Sequence, residues 1–262
     1  MTRRPASIAR LLAVTWWLQV KIRSRSAFDG LLSLLWPLFF ATTIFLLYRA
    51  GHQPSGALLS AAVGASAMGI WSATSTTASG ALQNERYQGT LELLVAAPTP
   101  MPLLLIPVTL SMATVGLYSL ITTLLWGRFV FGISLHVSSP FLFAISVLVV
   151  VLSIGIFGFL LAISSVRYRT AWALGAGIEL PIWFVCGFLI PVSSLPGWVH
   201  PISWVLAPTW GMTAIRHAAL GGSVAVPILV CLAITSAYAV GGTLITRVVV
   251  DSARSRATLA LT

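Results

Sequence analysis

Two stretches of this chain, 50–84 and 93–127, contain no Asp, Glu, Lys or Arg, and the segment between them carries Glu85, Arg86 and Glu92. Uncharged runs of that length constrain the fold severely. A helix needs roughly 20 apolar residues, at ~1.5 Å each, to cross a hydrocarbon core of ~30 Å. Both runs meet that requirement, so the charged segment between them belongs at a membrane–water boundary. Composition agrees: 58% of the 262 residues are hydrophobic and 8% are charged, where soluble domains carry roughly 25% charged residues. An outer-membrane barrel would alternate apolar and polar positions in segments of about ten residues. The runs here are unbroken, and the class they predict is an all-α polytopic membrane protein.

Six transmembrane spans are expected, at 30–48, 57–82, 103–126, 141–165, 171–190 and 225–246. Ahead of them, 6–26 reads as a moderately amphipathic helix. Arg10, Lys21 and Arg25 fall within about 60° on a helical wheel, and Ile8, Leu11, Thr15, Leu18 and Ile22 lie opposite or beside them. With Trp16 and Trp17 suited to the headgroup region, this is an expected interfacial helix on the cytoplasmic leaflet. Arg3-Arg4 is not followed promptly by an apolar run, so the first span is expected to be an uncleaved anchor.

The second span is barely hydrophobic. Ala61, Ala65, Gly69, Ala73 and Thr77 recur at every fourth residue and make one face of small side chains, which lets helix backbones approach closely in lipid. Burial against protein is expected for that face; Ser72, Ser75, Thr76 and Ser79 could instead line a polar path. Beyond the fifth span, Pro191, Pro196, Pro201 and Pro208 with Trp198, Trp204 and Trp210 break the helical pattern. Short helices dipping into the bilayer fit 191–222, provided protein or water covers the freed backbone.

Orientation follows from the basic residues. With a cytoplasmic N-terminus, twelve Lys and Arg fall in inner segments and only Arg49, Arg128 and Arg216 in outer ones. That bias predicts both termini, and the segment 84–98, on the cytoplasmic side. The same clustering between apolar runs, with no basic face interleaved with aromatics, argues against nucleic acid as the partner behind the net charge of +10. Cys186 and Cys231 fall inside apolar runs and read as small packing residues.

The segment 86–97 reads as a helix with Tyr87, Leu91 and Leu94 on one face and Pro98 ending it. Its pattern, Glu85-Arg86-x-x-Gly89-Thr90-Leu91-Glu92-x-Leu94, resembles the coupling segment that follows the second span in type-2 permeases of ATP-binding-cassette (ABC) exporters. A second match, Pro191-x-x-x-Leu195-Pro196-x-Trp198 followed by Pro208 and Ile215-Arg216, is similar to that family's outer re-entrant segment. The resemblance spans nearly the whole chain. It implies a bacterial inner-membrane permease that pairs with a second copy or a paralogue and works with two cytoplasmic nucleotide-binding subunits. ATP and Mg would be bound by those subunits, with no cofactor in this chain. It further implies that 84–97 is a coupling helix, with Glu85, Arg86 and Glu92 as polar contacts and Gly89 and Thr90 at its turn or cap. Tyr87 departs from the pattern, since an acid is usual there. The implied cargo is hydrophobic or amphiphilic: a drug, antibiotic, lipid or glycolipid.

The residues agree that energy must come from elsewhere. A phosphate-binding loop needs Gly-Lys followed by Ser or Thr, and the single lysine, Lys21, stands between Val20 and Ile22. His52, His136, His200 and His217 are scattered without ligand spacing, and no hydrolase signature is present, so neither catalytic nor metal residues are expected. Glu179 is the one acid predicted deep in a span, where a charge costs at least ~2.5–3.5 kcal/mol. With Ser72 and Thr76 it could line a substrate route that attracts cations; a hydrogen-bonded structural acid is the other reading. An ion-driven carrier using Glu179 is the alternative function.

Overall fold

The computed structural model describes residues 5–25, 27–51, 55–87, 100–133, 136–167 and 171–256, and within them the chain is helical with no strand. The helices are α1 (Pro5–Ser24), α2 (Ala27–Ala50), α3 (Ser55–Tyr87), α4 (Pro102–Val115), α5 (Leu117–Phe129), α6 (Pro140–Arg167), α7 (Ala171–Gly177), α8 (Glu179–Val185), α9 (His200–Val205), α10 (Ala207–Leu220) and α11 (Ala225–Arg256). Two 3₁₀ turns, Val192–Ser194 and Gly197–Val199, lie between α8 and α9. Among the described residues four stretches are long and apolar enough to cross a membrane: Gly56–Ala78, Pro102–Phe129, Pro140–Ser164 and Ala225–Val248.

Two helices form the centre. α6 packs against α3, α4, α10 and α11, and α3 packs against α2, α4, α5, α6, α7 and α10. Every residue from 61 to 71 is buried, so this part of α3 is enclosed on all sides. Small side chains make that possible. A Cβ built on Gly69 would stand 1.9 Å from the Ser119 hydroxyl oxygen and 2.6 Å from a Pro37 ring carbon. The predicted small-residue face is therefore packed against protein at Ala61, Ala65 and Gly69, while Ala73 and Thr77 are half-buried. Between these close contacts larger groups fill the core: Trp71, Phe45, Met68, Val150, Ile154, Phe188 and Met212.

Two prolines stand where a missing N–H is tolerated. Pro102 and Pro208 stand in the first turns of α4 and α10. Pro37 lies inside α2 without ending it. α4 and α5 meet at Gly116, which keeps helical dihedrals and bonds back to Met112 and Thr114, so 102–129 is nearly one rod.

Over 171–190, where one span is expected, the chain instead forms two short helices joined at Ile178. Pro181 in the first turn of α8 withholds the donor that a continuous helix would need there. After α8 the backbone turns at Gly187, with φ +73°.

The N-terminal helix is attached to the bundle. α1 packs against α4, and Trp16 Nε1 donates to Thr114 Oγ1 at 3.1 Å. Thr114 is twelve residues into α4, about 18 Å from its start. Arg10, Lys21 and Arg25 are exposed as expected, but Leu18 and Ile22 are exposed with them.

Candidate functional site

Polar groups inside an apolar bundle need partners, and α3 supplies them at two levels. One level holds Glu179, the one acidic residue whose side chain is described. The break at Ile178 sets Glu179 at the start of α8, half-buried, and Ser72 Oγ of α3 donates to Glu179 Oε1. Ser72 is sixteen residues past Gly56 and six before Ala78, about 24 Å and 9 Å along the helix. The carboxylate thus meets the apolar stretch of α3 much nearer the end that leads to Glu85. Thr76, one turn further along α3, is exposed, and its hydroxyl donates to the Ser72 carbonyl at 2.6 Å. Of the three predicted path residues, the structure brings Glu179 and Ser72 into contact and sets Thr76 beside them.

The other level is built around Arg216 of α10, which is 9% exposed. Its Nε donates to Ser60 Oγ of α3 at 2.9 Å, and one terminal nitrogen donates to the Phe188 carbonyl at 3.3 Å. A Cβ on Gly64 would fall 2.0 Å from that same carbonyl oxygen, so the turn after α8 rests directly on the backbone of α3. One guanidinium therefore ties α10, α3 and the 187–191 turn together. Arg216 stands in a motif legible in the sequence; Ser60 and Phe188 carry no local signal.

Between Glu179 and Arg216 in sequence the chain breaks repeatedly, and side chains satisfy carbonyls left free there. Ser203 Oγ donates to Val185 O at 2.7 Å, Trp210 Nε1 to Trp204 O at 2.9 Å, and Tyr238 Oη to Val205 O at 2.7 Å. Cys231 Sγ donates to Ala207 O at 3.1 Å, and His200 Nε2 lies 3.1 Å from Val192 O. Unpaired backbone groups in a low-dielectric setting are costly, and these side chains pair several of them. Ala207 packs against Val149 and Cys231, nine residues into α6 and six into α11. Of the predicted outer motif, Pro208 is buried at the start of α10, and Pro191 and Pro196 each precede a 3₁₀ turn. Leu195 is half-buried and Trp198 is 74% exposed.

The proposed coupling segment is divided. Glu85 and Arg86 lie on the last helical turn of α3, which runs without a break from Ser55 to Tyr87. Gly89, Thr90, Leu91, Glu92 and Leu94 lie outside the described residues, as does His52. Among the described residues no group of three His, Cys, Asp or Glu side chains could hold a metal ion.

A family model described as ABC-2 type transporter matches residues 10–220. The chain belongs to that family. No curated protein matches it. The ABC-2 chain is thus a multi-pass permease component of an ABC transporter, a class in which ATP hydrolysis resides in partner subunits. The match covers α2 through α10 entire, and so includes both Glu179 with Ser72 and the contacts of Arg216.

Proposed function

We propose that this permease is the membrane subunit of an ATP-driven exporter, carrying a hydrophobic or amphiphilic cargo out of the cytoplasm or inner leaflet. The observation that carries this reading is the continuity of α3, 33 residues in one helix. That helix holds Ser60 near one end, Ser72 further in, and Glu85 and Arg86 at the other. From Ser60 to Arg86 is about 39 Å along the axis. A displacement at the 84–97 segment would be passed along this rod to both polar levels.

In this reading the chain makes six crossings with both termini in the cytoplasm of a bacterial cell, and 191–222 lies on the outer side. The 84–97 segment docks as a coupling helix into a nucleotide-binding subunit. Two such subunits bind ATP and Mg, and a second permease copy or a paralogue completes the pathway. Glu85, Arg86, Glu92 and Leu94 make the contacts with the ATPase. Gly89 and Thr90 form the turn.

Reconstitution with the ATPase subunit tests this. ATP turnover should depend on the permease, and Leu94→Ala with Glu92→Ala should reduce that dependence about tenfold, as loss of a central interface anchor does. A cysteine at position 92 should react with impermeant reagents only from the cytoplasmic side; external labelling of intact cells would overturn the topology. Transport that runs without ATP on an ion gradient would favour the ion-driven alternative, which the membrane-depth Glu179–Ser72 contact also suits.

A further inference from the structure

Glu179 is the point where this fold departs from its own way of handling charge. Arg216 is enclosed and bonded on two sides, but Glu179 is half-buried and, among the described residues, receives one hydroxyl, that of Ser72. No cationic side chain among the described residues pairs with it. A carboxylate at that depth cannot face lipid hydrocarbon without heavy cost. Its open side is therefore suited to water or a cation.

The surface beside it is apolar. On α8 the residues Ile182 and Trp183 turn inward and are buried, while Leu180 and Phe184 are 59% and 49% exposed. Successive residues are turned by ~100°, so Leu180 and Phe184 share a face about 40° apart; Glu179 falls on the buried side, between Ile182 and Trp183, with Leu180 the next residue along the helix. One negative charge, a hydroxyl pair from Ser72 and Thr76, and an adjoining exposed apolar strip make a surface with two chemistries. They are arranged as a head and a body.

We propose that Glu179 and Ser72 recognise the cationic head of an organic cation with an apolar body, which enters from the inner leaflet and lays that body along Leu180 and Phe184. This rests on the permease reading and names the substrate class for it. The placement of Ser72 nearer the Ala78 end of its stretch fits entry from that leaflet. Charge complementarity supplies the selection: a neutral molecule of the same shape would leave the carboxylate unpaired and desolvated.

The test uses the full-length chain in lipid nanodiscs without its ATPase, so that it does not depend on coupling. Binding of tetraphenylphosphonium is compared with that of uncharged triphenylphosphine oxide. Wild type should prefer the cation, and Glu179→Gln, which keeps an acceptor for Ser72, should weaken cation binding about tenfold while leaving the neutral compound within about twofold. Ser72→Ala should weaken the cation about threefold, and Glu179→Asp should restore much of what Gln loses. Cation binding that is absent in wild type, or equal in wild type and Glu179→Gln, would overturn the proposal. Adding a cationic lipid to the nanodisc separates two sources of the same chemistry: competition assigns a lipid head, and its absence with the Glu179 dependence retained assigns a soluble cation. Failure of the ATPase experiment with cation binding intact would instead remove the exporter reading alone.

Discussion

Arg216 and Glu179 both reach α3 from segments late in the chain, and they touch it at Ser60 and Ser72, twelve residues or about 18 Å apart. Arg216 is 9% exposed, with its N–H groups directed at a hydroxyl and a backbone carbonyl. Glu179 is half-open, with one hydroxyl of the described residues on one oxygen. An enclosed charge bonded to two partners on different segments acts as a fastening, since moving it would strand both. A charge with one partner and an open side retains capacity for something else. The difference assigns stability to one level and recognition to the other, and each assignment can be broken by experiment.

The largest effect should come from the surface on which the Arg216 contact is built. Gly64→Ala would place a Cβ 2.0 Å from the Phe188 carbonyl, where the obstacle is backbone on both sides. Overpacking of this kind costs about 3 kcal/mol or more, and the thermal midpoint in nanodiscs should fall accordingly. Gly241→Ala makes the control, because nothing lies within 4 Å of a Cβ there; it should be neutral or stabilising by up to ~1 kcal/mol. Equal behaviour of the two variants would mean that the turn does not sit on α3 as described.

Next in size is Arg216→Met, which removes the donors to Ser60 and Phe188 while roughly keeping the stem volume. Leaving the buried Phe188 carbonyl and the part-buried Ser60 hydroxyl without the guanidinium should cost about 2–3 kcal/mol. Arg216→Lys should recover only part of that, because an ammonium lacks the planar fork that meets two partners set apart. By contrast, Glu179→Gln should leave the midpoint within about 0.5 kcal/mol or raise it slightly, since it removes a costly charge and keeps the Ser72 bond. A large destabilisation by Glu179→Gln would collapse the contrast and make both contacts structural.

How far the sequence anticipates this depends on whether the signal is local. The every-fourth-residue pattern of Ala61, Ala65 and Gly69 identifies the packed face of α3, because helical period is a property of neighbouring residues. Glu179 and Ser72 are each conspicuous as polar residues in apolar surroundings. That they meet is not legible, as 107 positions separate them. The same holds for Arg216 and Ser60, separated by 156. The break at Ile178 is hidden for a different reason: isoleucine is no helix breaker, and Pro181, three residues later, suggests a bend without placing it. Carbonyl-capping bonds such as Tyr238 to Val205 depend on two distant segments arriving together, and no pattern in either one announces them.

The smallest predicted effect tests whether the two levels are independent of the N-terminal helix. Trp16→Phe keeps most of the ring packing of α1 on α4 and removes the N–H to Thr114, a single part-buried bond. Its loss should cost about 1 kcal/mol. α1 packs on α4 and, less extensively, on α2, while both charged contacts are made on α3. If α1 is only attached to the rim, Trp16→Phe combined with Arg216→Met should be additive within about 0.5 kcal/mol, and the same should hold with Glu179→Gln. Non-additivity with Glu179→Gln alone would carry a specific meaning: α4 lies against α3 and α6, so α1 would be shifting the Glu179 level through α4 while leaving the Arg216 level untouched. That outcome would make α1 part of the recognition surface, and it would show as a change in the affinity of Trp16→Phe for tetraphenylphosphonium.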